Sequence, residues 1–341
     1  MLSTIGQFFS AMEVEYRVYD FGHRVQEISA ETFRQFEEQK CAYPSPYLSH
    51  AWLGFLFWHK DNISQPLIWF IKLPIDEQGL LEIAQRDLFL QQLLLAAGEN
   101  LQAVNKDADF QEVLKNNPFV FTPTPEKQAY ITSKARLQLQ LEPSEYYQAA
   151  QEYLSSDLSN WQDLPVQGLA DVAVNWQKHE SQLLNSIPLL PQEPLISLCH
   201  LLENESINDD LFDVLEQRLS LPLDAAIVPA IIRAVSIASN MPKRIALLEK
   251  LLDTPTMNNT ELLVTITSRC YLDLFSENLR LKLLTALTKH TPEIFSIIMD
   301  NLLLLPLLRS HILSTVNNKE QNPDISECFS NYIHAKHANL N

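Results

Sequence analysis

Asp20-Phe21-Gly22 spells the triplet with which protein kinases hold magnesium, and Lys72 with Glu82 could imitate the lysine–glutamate pair that grips nucleotide phosphates. The order excludes that chemistry. A kinase places its Asp-Phe-Gly a whole lobe after the lysine and needs a His-Arg-Asp loop and a glycine-rich loop, neither of which this chain contains. The better use of the triplet is a tight turn at Gly22. A second group carries more charge. Lys72, Asp76, Glu77, Arg86 and Asp87 gather where an apolar run gives way to the next helix, and His23 and Arg24 could join them in lining a polar cleft. Lys72 follows apolar residues, so its ammonium needs a partner if it is buried; otherwise the group forms a solvated rim.

Other chemically capable residues fit structural roles better. His334 and His337 stand three apart on one helix face and could add Cys328 to a metal site, but three ligands on a fraying terminus hold metal weakly. Cys199 and His200 are adjacent, so on a helix they point about 100° apart and cannot act as nucleophile and base. Trp52, Phe55, Phe57, Trp58, Trp69 and Phe70 could stack nucleobases, yet only Lys60 and Lys72 accompany them, whereas single-strand platforms come with basic grooves. Core or a protein interface suits them better. No cofactor motif is present, so no cofactor or metal is expected.

The elements that would position these residues change character along the chain. Glu15–Phe21 and Arg24–Ser29 flank Gly22 and predict a hairpin, followed by a helix over Ala30–Gln39. Ala51–His59 and Leu67–Leu73, separated by polar Lys60–Pro66, predict a second hairpin. Both faces of that second pair are apolar, so both need covering: helices on one side, and a partner surface or another domain on the other. Ser3–Met12 and Leu80–Ala97 supply covering helices, giving an α-ββ-α-ββ-α order and an α+β sandwich domain over 1–120. Residues 121–164 read as a helical transition, with stretches at Glu126–Leu139 and Ser144–Ser155.

From 165 to 341 the chain predicts an all-α domain. The last of six glycines is Gly168, and helices can be punctuated by proline and Asn or Ser caps where strand turns need glycine. Pair starts near Pro191, Leu223, Asn259 and Pro292 recur about every 34 residues, which predicts a HEAT-like helical-repeat array. Asn208 predicts an N-cap before Asp209 and Asp210, and Thr291-Pro292-Glu293 predicts another. Pro229 predicts a kink or a split in a helix over Leu223–Ser239.

Charge and cysteine usage narrow the setting. With 25 basic and 42 acidic residues the net charge is −17, and the acidic excess runs through both halves, so the chain repels nucleic acid. Its four cysteines lack any C-x-x-C spacing and read as reduced thiols. Met1–Ser10 lacks a signal-peptide pattern, and Ile294–Leu308, the most apolar run, is broken by Asp300, Asn301 and Pro306. A soluble, cytoplasmic protein without membrane contact is expected.

Four stretches, YRVYDFG (Tyr16–Gly22), PLIWFIKLPIDEQGLL (Pro66–Leu81), AQRDLF (Ala84–Phe89) and VQGLADVA (Val166–Ala173), resemble a bacterial family of chains about 340 residues long, known only as a domain of unknown function. The resemblance implies a fold and a source but no activity, substrate or cofactor. The expected function is therefore a non-catalytic cytoplasmic adaptor or regulator that binds another protein through its repeat surface. An enzyme with its polar site near Arg24, Lys72 and Arg86 is the alternative.

Overall fold

In a computed structural model the chain is described over residues 3–97, 117–156, 158–219, 226–254 and 259–338. It divides into two compact units, Met1–Glu142 and Pro143–Asn341. The stretch 121–164, read above as a transition, is divided between them.

The first unit follows the expected order. It runs α1 (Ile5–Ala11), β1 (Val14–Asp20), β2 (Gln26–Ile28), α2 (Ala30–Glu37), β3 (His50–His59), β4 (Asn62–Pro74) and α3 (Ile83–Ala97), and then adds α4 (Pro125–Gln138). Thr4, Ser29 and Thr124 cap α1, α2 and α4 with side chains that accept backbone N–H groups of the first turn. The two hairpins merge into one antiparallel sheet of order β2-β1-β3-β4, with Val18 opposite Phe55 and Phe55 opposite Trp69. β4 begins at Asn62, ahead of the predicted start at Leu67, because its first residues Asn62–Gln65 are exposed and, apart from Ile63, polar, and read as a loop by composition alone.

Alternation along the strands gives the sheet two apolar faces. On one, Phe55, Phe57, Trp69 and Ile71 pack under α1, α2 and α3, with Phe9 5.2 Å from both Phe55 and Phe57 and Phe33 5.4 Å from Phe55. The other face carries Tyr19, Trp52, Gly54, Leu56 and Phe70. The sequence predicted a partner surface or separate domain over this face; instead α4 of the same unit covers it. Lys127 Nζ donates to Phe21 O at 2.5 Å, the Tyr19 hydroxyl donates to Gln138, and Gln138 donates to Glu27 at 3.1 Å. Gly54 is required here, since a Cβ would sit 2.3 Å from the Phe21 ring that closes this face.

The second unit is helical throughout its described residues, with α5 (Tyr147–Leu154), α6 (Val166–Val174), α7 (Glu180–Ser186), α8 (Gln192–Leu202), α9 (Asp209–Arg218), α10 (Ile227–Val235), α11 (Met241–Leu252), α12 (Thr260–Arg269), α13 (Glu277–Leu287), α14 (Pro292–Leu304), α15 (Pro306–Val316) and α16 (Pro323–Ala338). Helices pack on the helix two places on: α6 on α8, α8 on α10, α10 on α12, α12 on α14 and α14 on α16, with α7 on α9 and α11 on α13 beside them. Asn208 caps α9 as expected, whereas Thr291 stands at the N-cap of α14 without a side-chain bond to its N-terminus. α10 runs unbroken through Pro229, so the helix is not split there. That helix starts at Ile227, so Pro229 occupies the first turn, where its missing N–H would have had no helical partner. The pair start at Leu223 lies outside the described residues. Among the described residues no helix is long and apolar enough to cross a membrane.

Candidate functional site

The charged group picked out by the sequence is placed in three locations. His23 and Lys72 share one end of the sheet. His23 is buried with Nε2 3.1 Å from Pro46 O and its ring edge-on to Tyr47 at 5.2 Å, while Lys72 Nζ lies 5.5 Å from the centre of the Trp52 ring. Trp52 Nε1 donates to Tyr47 O at 2.8 Å, which links the two. The cation over the indole face gives Lys72 the partner its apolar surroundings demand. Arg24, also buried, belongs to the turn between β1 and β2.

Asp76 and Glu77 sit in a turn instead. Asp76 Oδ1 accepts from the N–H groups of Gln78 at 2.8 Å and Leu80 at 2.9 Å, and Gly79 supplies the positive φ of 81° that closes the turn. Arg86 and Asp87, on α3, lie together at a third place. Buried Arg86 donates through Nη1 to Glu37 O at 2.8 Å and through Nε and Nη2 to Asp87 Oδ1 at 3.0 and 2.7 Å. Glu37 in turn accepts from Ile5 N at 2.6 Å and Gly6 N at 3.1 Å, so its carboxylate caps α1 while its carbonyl holds α3. Burial pushes the Glu37 carboxyl up. This is a brace joining three helices.

One cluster was not legible in the sequence. Asp20, 4% exposed at the end of β1, accepts from the Tyr43 hydroxyl at 2.7 Å and from Gly22 N at 3.3 Å. Burial raises its carboxyl to about 6, against the opposing pull of the Tyr43 bond and the Lys127 charge. Beside it lies a cavity of about 150 Å³ bordered by Gln26, Glu27, Thr32, Tyr43 and Ser45. A carboxyl so placed can exchange a proton near neutral pH. Tyr43 and Lys127 are 23 and 107 positions away, and no spacing rule connects residues so far apart. The Asp-Phe-Gly triplet thus marks a turn whose carbonyls, from Phe21 and Gly22, are held by Lys127 at 2.5 and 3.4 Å.

The aromatic set is divided between the two faces of the sheet. Phe55, Phe57 and Trp69 belong to the core under α1, and Trp52 and Phe70 lie with Phe21 and Phe121 on the face under α4. In the helical unit Cys199 is fully buried, and burial drives its thiol far above the ordinary range. His334 and His337 are exposed on α16 and Cys328 is half-buried; among the described residues no three His, Cys, Asp or Glu side chains could hold a metal together. Among the described residues, four of this unit's buried charges form ion pairs, while buried Arg280 donates to Thr315 and to backbone carbonyls instead. Glu203 accepts from Arg269 Nε at 2.9 Å and lies 3.5 Å from Arg233, and Asp273 takes Arg244 Nε at 3.1 Å and Nη2 at 2.5 Å.

Fold and site together define a class: a small antiparallel sheet between helical layers, followed by a helical unit, with most of its buried charge used to brace helices and turns. The chain belongs to the family described as protein of unknown function (DUF3549), whose model matches residues 1–332. Comparison with curated proteins and with solved structures gave no match.

Proposed function

We propose that the protein is a non-catalytic cytoplasmic adaptor or regulator, and that its helical unit is a HEAT-like repeat array presenting a surface to another protein. One observation carries this reading: the polar links between helices recur at nearly constant sequence separation. Asn208–Glu180, Asn240–Asp209, Arg244–Asp273, Lys282–Asp253 and Tyr332–Asp300 are 28, 31, 29, 29 and 32 residues apart. In addition, the fourth residue of α11, α13 and α15 is an arginine (Arg244, Arg280, Arg309), and each donates to a carbonyl six residues earlier, in the segment just before its own helix. A repeated fastening of this kind is what stacked helical pairs need, and such arrays bind extended partners over many side chains. Leu189, Ile297 and Leu307, each more than half exposed, offer apolar contact points.

The test uses the full chain as bait in extract of its host. Leu189→Asp, Ile297→Asp and Leu307→Asp together should remove a stoichiometric partner while the melting curve is kept, and Lys72→Ala should retain it. The enzyme reading draws its support from Asp20 beside its cavity. Loss of cellular function confined to Asp20→Asn or Lys72→Ala, with the triple variant active, would replace the adaptor reading with it.

A further inference from the structure

β4 forms one edge of the sheet, and among the described residues only part of that edge is taken. Lys72 N donates to Phe119 O at 2.7 Å and Phe121 N donates to Phe70 O at 3.2 Å, so residues 119–121 add a short antiparallel stretch there. Past Phe121 the chain leaves the edge through Pro123 and Pro125 into α4. Because backbone groups alternate sides along a strand, those of Phe70 and Lys72 facing outward put those of Ile68 at the same open edge. Where the edge is vacated, a groove of about 490 Å³ runs between β4 and α4, walled by Ile68 and Phe70 on one side and Thr132 and Arg136 on the other, with Leu141 at its end.

We infer that this groove accepts a short extended peptide from another protein, added to β4 beyond Phe121 and bearing an acidic side chain that meets Arg136. Three features select that occupant. The chain's own residues 119–121 already use the same edge in the same manner. Among the described residues Arg136 donates only to Glu142 O, at 2.8 Å, and no carboxylate pairs with it, in a chain with 42 acidic residues. Pro66 and the register break between Phe57 and His59 blunt the outer end of β4, which disfavours long pairing with a second copy's edge and leaves room for a short strand. Backbone bonds to Ile68 would supply affinity, and the Arg136 contact and the apolar walls would supply selectivity. The inference concerns the N-terminal unit alone and stands or falls separately from the repeat reading.

A displayed library of random ten-residue peptides, panned on the full-length protein with counter-selection on full-length Thr132→Trp, tests it. Selected peptides should carry an acid within alternating apolar residues. Their synthetic forms should lose at least about tenfold in affinity on Arg136→Glu, and as much when alternate backbone amides are N-methylated. Thermal melts establish that both variants fold, and panning against Arg136→Glu serves if the tryptophan variant does not. No enrichment over the counter-selected variant overturns the proposal. So does binding that ignores both Arg136→Glu and N-methylation.

Discussion

The two units solve the problem of buried polar groups in opposite ways. In the sheet unit every brace is particular: Lys127 reaches Phe21, Tyr19 reaches Gln138 and Arg86 reaches Glu37, across sequence separations of 106, 119 and 49 residues. In the helical unit most inter-helix links span about 30 residues, and the same arginine fastening appears three times. Long-range closure must be completed before it stabilises anything, whereas helices linked to near neighbours in sequence can support one another as they form. The sheet unit is therefore the more cooperative of the two and should fail as a whole, while damage to the helical unit should stay nearer its source.

The largest expected effect is in the sheet unit. Trp69→Ala removes a ring that touches Phe8, Phe9 and Phe57 at 4.7–6.3 Å and should destabilise that unit by about 3–5 kcal/mol. Denaturant titration followed by tryptophan fluorescence measures it. A variant that melts like the native chain would mean that Trp69 is not core. In the helical unit, Asp273→Ala strands buried Arg244 and should cost about 3 kcal/mol, yet the double change Arg244→Met with Asp273→Leu should recover most of it. Equal losses in the single and double variants would show that the pair does more than satisfy its own charges. Hydrogen exchange should confine the single variant's loss to α11, α13 and their neighbours.

The smallest effect is a pH dependence of the sheet unit, opposite in direction to that of the helical unit, where burial lowers His179. Asp20 has a folded value raised to about 6 from 3.8, so its contribution to stability is fully present below about pH 4 and is lost as the pH rises through 6. Glu37, also raised by burial, acts in the same direction. Melts at pH 5 and 7 should differ by on the order of 1–3 kcal/mol from Asp20, with the protein more stable at the lower pH, and Asp20→Asn should flatten the difference. A steeper slope in the asparagine variant would contradict the burial argument.

The sequence exposed elements wherever local rules decide them. Gly22 between β-branched and aromatic runs located the first hairpin, and the lack of glycine after Gly168 marked the helical half. It concealed the covering role of α4 because the residues α4 buries are Ala129, Tyr130, Ile131, Ser133 and Ala135, small or polar for the most part, which draw no apolar stripe. Pro229 misled because its effect depends on where the helix begins, which capping residues left undecided. The Asp20 cluster and the split of the charged group were invisible for the same reason: the fold alone brings Tyr43 and Lys127 to Asp20, and separates Arg86 from Lys72.

The covering of the sheet by α4 also has a meaning during synthesis. Translation delivers the chain at roughly 5–20 residues per second, so β4 is complete seconds before Gln138 emerges. Through that interval Trp52, Leu56 and Phe70 face solvent on a nascent chain whose sheet can already pair. The N-terminal unit thus cannot finish vectorially, strand by strand; it waits for its last helix, and through that wait the growing polypeptide carries an uncovered apolar sheet face.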